Sequence, residues 1–144
     1  TAATTAPVAG AIELLERLPI DRWAIVTSAT RRLGVARWTG ASLPPAAQSV
    51  TFDDVTHGKP HPEPFLAGAR RLGVPAERCV VFEDSASGGD AAAAAGAAVV
   101  AVGGQPWRFT PAVRVRDLSQ VSVVEVVGCR VTLALTTVGE PSIG

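Results

Sequence analysis

A chain of 144 residues that is 47% hydrophobic and 18% charged, with a formal net charge of zero, is the size and composition of one globular domain. Such a balance argues against a disordered segment or a nucleic-acid-binding protein. No apolar run approaches the roughly 18–20 residues that cross a bilayer, and the opening TAATTAPVAG has no basic stretch ahead of an apolar core, so no signal peptide is expected.

Taken in order, residues 10–18 set Ile12, Leu14, Leu15 and Leu18 at helical spacing. WAIVTS (23–28) is a compact apolar run suited to a strand buried on both faces. Residues 29–40 read as a helix that Leu43-Pro44-Pro45 terminates, and SVTF (49–52) as a weaker strand leading into the polar loop DDVTHGKPHPEP. A helix is expected from Pro62 to a stop at Gly73. CVVFED (79–84) reads as a buried strand, Ser85–Ala95 as an alanine-rich helix closed by Gly96, and AVVAV (98–102) as a third buried strand. SVVEVV and RVTLAL, separated by Gly128-Cys129, read as a hairpin. The alternation predicts an α/β fold, a Rossmann-like parallel sheet with helices on both faces. Residues 1–121 would form the core, and 122–144 a C-terminal β-hairpin extension of the same domain.

Two absences carry information. There is no methionine, so an ordinary translation start is not expected at Thr1. Lys59 is the one lysine in a chain that otherwise uses arginine, which suggests a position where a planar guanidinium will not substitute for a compact ammonium. Two unclustered cysteines, Cys79 and Cys129, fit reduced thiols and a cytoplasmic setting better than a disulfide.

Three strand ends carry polar groups, where open parallel sheets place their ligands. Thr27 and Ser28 can donate to a phosphate oxygen beside a helix N-terminus, or Ser28 or Thr30 can simply cap that helix. Glu83 and Asp84 can hold Mg²⁺ through hard oxygens, or Asp84 or Ser85 can cap the next helix while Glu83 faces water. Gly88 and Gly89 would let backbone approach a ligand, or serve a turn. Lys59, between a glycine and two prolines, can offset phosphate charge, or be an exposed loop lysine. His57 and His61 read as polar loop residues, without a familiar metal-site spacing.

AIVTS, GKPHPEPF and VVFEDSASGGDAAAAAG, in that order, resemble the haloacid-dehalogenase superfamily, and within it the sugar-phosphate and phosphoglycolate phosphatases. That resemblance implies a Mg²⁺-dependent phosphomonoester hydrolase acting on a small phosphorylated metabolite. Thr27 would be a phosphate ligand with Ser28 beside the substrate. Lys59 would pair with phosphate and nucleophile, and Glu83 and Asp84 would position the metal. The family's Asp-x-Asp nucleophile motif occurs nowhere in the 144 residues. The resemblance therefore implies a core without its nucleophile strand and cap domain. A separate or upstream segment would have to supply the motif, and the alternative is an inactive binding module.

Overall fold

The computed structural model describes residues 6–104, 106–107 and 111–136. The first helix, α1 (Ala11–Arg17), is followed by β1 (Ile25–Val26), α2 (Arg31–Gly40), β2 (Ser49–Val50) and α3 (Glu63–Leu72). Then come β3 (Val80–Glu83), α4 (Ala86–Ala94), β4 (Ala98–Val102), β5 (Val113–Val115) and the hairpin β6 (Val121–Val127) with β7 (Arg130–Leu135). The α/β architecture with parallel strands and a C-terminal hairpin is as the sequence implies. Among the described residues no helix is long and apolar enough to cross a membrane.

Local chemistry accounts for the boundaries. Thr30 caps α2 by accepting from the Leu33 N–H, and Ser85 caps α4 by accepting from the Gly88 N–H. Gly73 closes α3 with φ 72°, a left-handed position that costs glycine little. Gly128 turns the β6–β7 hairpin with φ 56°.

The parallel sheet is in two pieces. β1 pairs with β2, whereas β3, β4 and β5 form a separate sheet in that order. No ladder joins β1 to β3, so the parallel strands stand as two half-sheets, in keeping with a core that lacks its nucleophile strand. WAIVTS is shorter and wetter than expected. Only Ile25–Val26 pairs, and both residues are half-buried, because a strand with one neighbour leaves an edge uncovered. The sequence reading also missed β5, whose VRV triplet is too short and too charged to signal a buried strand.

Helices hold the halves together. α3 buries Phe65 and Ala69 against Ala91, Ala92 and Ala95 of the α4 region and against Val99, with Val26 and Val81 packed on the same cluster. Gly68 lets α3 approach β1 closely, since a Cβ there would stand 3.0 Å from the Val26 methyl. A smaller cluster of Val100, Val102 and Val115 meets Leu118 and Leu135, which docks the hairpin. Both cysteines are free thiols, Cys129 exposed and Cys79 half-buried. Burial pushes the Cys79 thiol above its usual range, aided by the charge on Glu77.

Candidate active site

Lys59 leaves the loop after β2 and spans the gap between the half-sheets. Its Nζ donates to the Val26 carbonyl at 3.2 Å and to Glu83 Oε1 at 2.6 Å, so it ties the end of β1 to the end of β3. The pair is enclosed, with side chains 10% and 9% exposed. The exposed-lysine alternative is therefore excluded. An enclosed ion pair must offset the loss of water around both charges. Here the ammonium has two acceptors and the Phe65 ring at 5.0 Å.

Glu83 is equally provided for. Its Oε2 accepts from the Asp84 N–H and the Ser85 N–H, both at 3.1 Å, and from the Ser85 hydroxyl at 3.0 Å. The carboxylate lies against the first turn of α4, where Gly88 makes room: a Cβ there would stand 2.1 Å from the Glu83 carboxyl carbon. Gly88 thus serves close approach by a side chain from within α4, not a turn. Ser85 does double duty, capping α4 and donating to Glu83. Glu83 does not face water, and both of its oxygens are engaged by protein donors.

Asp84 is exposed, and its carboxylate takes no hydrogen bond or ion pair among the described residues. Of the two predicted metal ligands, it is the one whose oxygens are available. Thr27 lies just beyond β1, half-buried, with its N–H bonded to the Val50 carbonyl at 2.9 Å. Its hydroxyl oxygen accepts from the Ala29 N–H at 3.1 Å, which leaves its own hydrogen to donate. Ser28 is exposed beside it and does not cap α2.

Thr27, Lys59, Glu83 and Asp84 therefore gather at the carboxyl ends of β1 and β3, although 57 residues apart in sequence at the extremes. Ser28 follows Thr27 on the same edge. Sequence reasoning missed the support beneath this edge. The Asp54 carboxylate accepts from the Thr51 N–H and hydroxyl, each at 2.8 Å, and pairs with Arg31 at 2.7 Å and Arg71 at 3.3 Å. Asp53 meanwhile accepts from the first N–H of α2 at 2.8 Å. These contacts fasten the start of α2 to the turn after β2.

Residues 2–96 match the haloacid dehalogenase-like hydrolase family. Among curated proteins the chain is 37% identical over 91 residues to glycerol-1-phosphate phosphohydrolase 2 of Saccharomyces cerevisiae. It is 43% identical over 81 residues to hexitol phosphatase A of Escherichia coli. Those matches cover 56% and 55% of this chain but only 36% and 38% of the relatives. Among solved structures, a hydrolase from Pseudomonas syringae superposes with TM-score 0.60 at 35% identity, over 65% of this chain and 44% of that one. CbbY of Rhodobacter sphaeroides, in complex with xylulose-(1,5)bisphosphate, superposes with TM-score 0.71 at 25% identity, over 83% of this chain and 57% of that one.

Proposed function

Since this chain belongs to the haloacid dehalogenase-like hydrolases, we propose that it supplies the electrostatic half of a Mg²⁺-dependent phosphomonoesterase site for a small phosphorylated metabolite such as a sugar phosphate. The observation that carries this reading is the enclosed Lys59–Glu83 pair at 2.6 Å, beside the donor hydroxyl of Thr27. The names of the two curated relatives, both phosphatases of small phosphorylated polyols, support the substrate class. Free Cys79 and Cys129 accord with a cytoplasmic setting.

Each residue has a distinct task in this reading. Lys59 has three N–H donors and gives two to Val26 and Glu83, which leaves one for a phosphate oxygen. Glu83 orients that ammonium. The Thr27 hydroxyl donates to a second oxygen, and Ser28 lies against the rest of the substrate. Asp84 fits a Mg²⁺ ligand because it offers free carboxylate oxygens, and Mg²⁺ takes one or two carboxylates while keeping several waters. Glu83 would act on the metal only through its neighbour, since its own oxygens are taken. When bound, the ion would offset charge on the transferring phosphoryl group.

The covalent half must come from elsewhere. No Asp-x-Asp is present in these residues, and β1 and β3 are not paired to each other. A strand carrying that motif between them would find backbone partners on both sides and set an aspartate nucleophile beside Lys59. The same two facts favour a second reading, in which the chain binds phosphate without turning it over.

The assay that separates them is phosphate release from p-nitrophenyl phosphate in millimolar Mg²⁺. The 144-residue chain should give none above background. An extended version with an Asp-x-Asp strand should give turnover, and Lys59→Ala should lower its kcat/KM by at least about a hundredfold, the usual cost of losing one preorganised charge-stabilising donor. Asp84→Ala should abolish the Mg²⁺-dependent turnover. Near-normal kinetics for Lys59→Ala would sink the proposal.

A further inference from the structure

The loop that carries Lys59 also holds both histidines of the chain. His57 and His61 stack, with ring centroids 4.6 Å apart and planes inclined by 25°. Glu63, in the first turn of α3, joins them. Its Oε1 accepts from the Thr56 N–H and its Oε2 from the His57 N–H, each at 2.8 Å, and His57 Nδ1 lies 3.1 Å from Oε2. One ligand atom from each of His57, His61 and Glu63 lies within 4.8 Å of the other two. The proposed phosphoryl chemistry uses none of these side chains.

We infer that His57, His61 and Glu63 form a binding site for one Zn²⁺-class ion, which would clamp the Lys59 loop to the start of α3. Two imidazole nitrogens and one carboxylate oxygen suit a borderline cation; Mg²⁺ prefers an all-oxygen set. The carboxylate is held by two backbone N–H groups before any ion arrives, and hydrogen-bonded ligands of this kind are what raise metal affinity. A carboxylate oxygen can accept more than one bond, so those contacts leave room for the ion.

Bonds of about 2.0–2.2 Å require the donors to draw somewhat closer than they now stand. The two imidazoles are exposed, so their rings can turn without disturbing the core. His61 Nδ1 now accepts from the Glu63 N–H at 3.1 Å. If the ion takes that nitrogen, the amide at the open start of the helix turns to water. Three protein ligands leave a fourth position for water. The third ligand is what the sequence did not show, because Glu63 reads as an ordinary first-turn acid of α3. This inference stands independently of the phosphatase reading.

The two histidines give two ring systems, so long-range ¹H–¹⁵N spectra of the imidazoles can follow the site directly. The full chain would be titrated with Zn²⁺ in millimolar Mg²⁺, carrying Cys129→Ser to remove the exposed thiol. Both rings should shift together and saturate at one ion per chain, with one nitrogen of each ring moving most. His61→Ala should abolish that site, and Glu63→Gln should weaken it at least about tenfold, with circular dichroism unchanged in both. The inference is overturned if Zn²⁺ moves one ring only or neither. It is equally overturned if Mg²⁺ displaces the ion, or if affinity survives His61→Ala or Glu63→Gln unchanged.

Discussion

Strand β4 has β3 on one side and β5 on the other, and from Val99 to Val102 it is buried. Strand β1 is as apolar, yet it has only β2 beside it and both its residues are half-buried. The flanking helices follow suit: α4 buries Gly88, Gly89, Ala91 and Ala92, whereas α2 buries nothing. Composition alone does not bury a strand; a neighbour on each edge does. β3 shows the intermediate case. It has one neighbour, its Val80 is 49% exposed, and only its last residue, Glu83, is buried. That burial comes from Lys59 and the first turn of α4, so the two half-sheets meet through an ion pair where a backbone ladder would otherwise run.

The contrast is most severely tested by breaking that link. Lys59→Met leaves the Glu83 carboxylate enclosed without its counter-charge, which should cost about 3–5 kcal/mol in urea unfolding. Lys59→Met with Glu83→Gln removes both charges and should recover most of the loss. Equal destabilisation by the single and double variants would show that the pair adds nothing to the helix packing that holds the halves together. Gly88→Ala comes next. Alanine in an exposed helix is worth about 1 kcal/mol over glycine. Here its Cβ would fall on the Glu83 carboxylate, and Lys59 and Ser85 leave that group nowhere to go. Overpacking of this kind should turn the gain into a loss of about 1–3 kcal/mol, and a stabilised variant would show that Glu83 is free to move.

A finer comparison uses one substitution in two strands. Val100→Ala removes methyl groups from a fully enclosed site at the centre of the three-stranded sheet and should cost about 2 kcal/mol. Val80→Ala removes the same atoms from an exposed position on β3 and should change stability by less than about 0.5 kcal/mol. Similar costs at both sites would mean that the edge of β3 is covered in solution.

How much of this was legible in the sequence follows the same division. β4, the α3 and α4 boundaries and the hairpin could be read because their signals are local: an apolar quintet, Gly73 and Gly96 as stops, Ser85 as a cap, Gly128 at the turn. The candidate site residues could be picked out because Lys59 is the chain's lone lysine and the acids stand at a strand end. What could not be read was set by distance. That Glu83 turns inward to Lys59 while Asp84 stays in water depends on Gly88, five residues on, and on a loop 24 residues back. The third ligand of the histidine cluster was hidden for the same reason, since only the fold brings Glu63 back over Thr56 and His57.

A further test lies beneath the two-stranded sheet, at Asp54. Its carboxylate is held well below the usual carboxylate range, first by the Thr51 N–H, then by the Thr51 hydroxyl, and to a lesser degree by Arg31 and Arg71. The arginines are 54% and 37% exposed, so salt should screen most of their share. The Thr51–Asp54 bonds form a capping box on the turn after β2, and losing one such cap costs about 1 kcal/mol. A carboxyl whose folded pKa lies below its unfolded value of 3.8 binds protons more readily when the chain is unfolded. Its contribution is therefore complete above pH 4 or so, and fades as the pH falls through the lowered folded value. Asp54→Asn should lower stability at neutral pH by about 1 kcal/mol and flatten the acid limb of the stability profile, while 0.5 M salt should change little in the parent chain. A profile that keeps its slope below pH 4 in Asp54→Asn would assign the acid sensitivity to other carboxylates; among the described residues Glu63 and Asp117 are also held low by hydrogen bonds. Because Asp54 joins the start of α2 to α3 through Arg31 and Arg71, its loss should loosen the β1–β2 half and leave β3, β4 and β5 as they were. Amide exchange would show this as faster opening at Thr27 and Phe52, with Val99–Val102 unchanged.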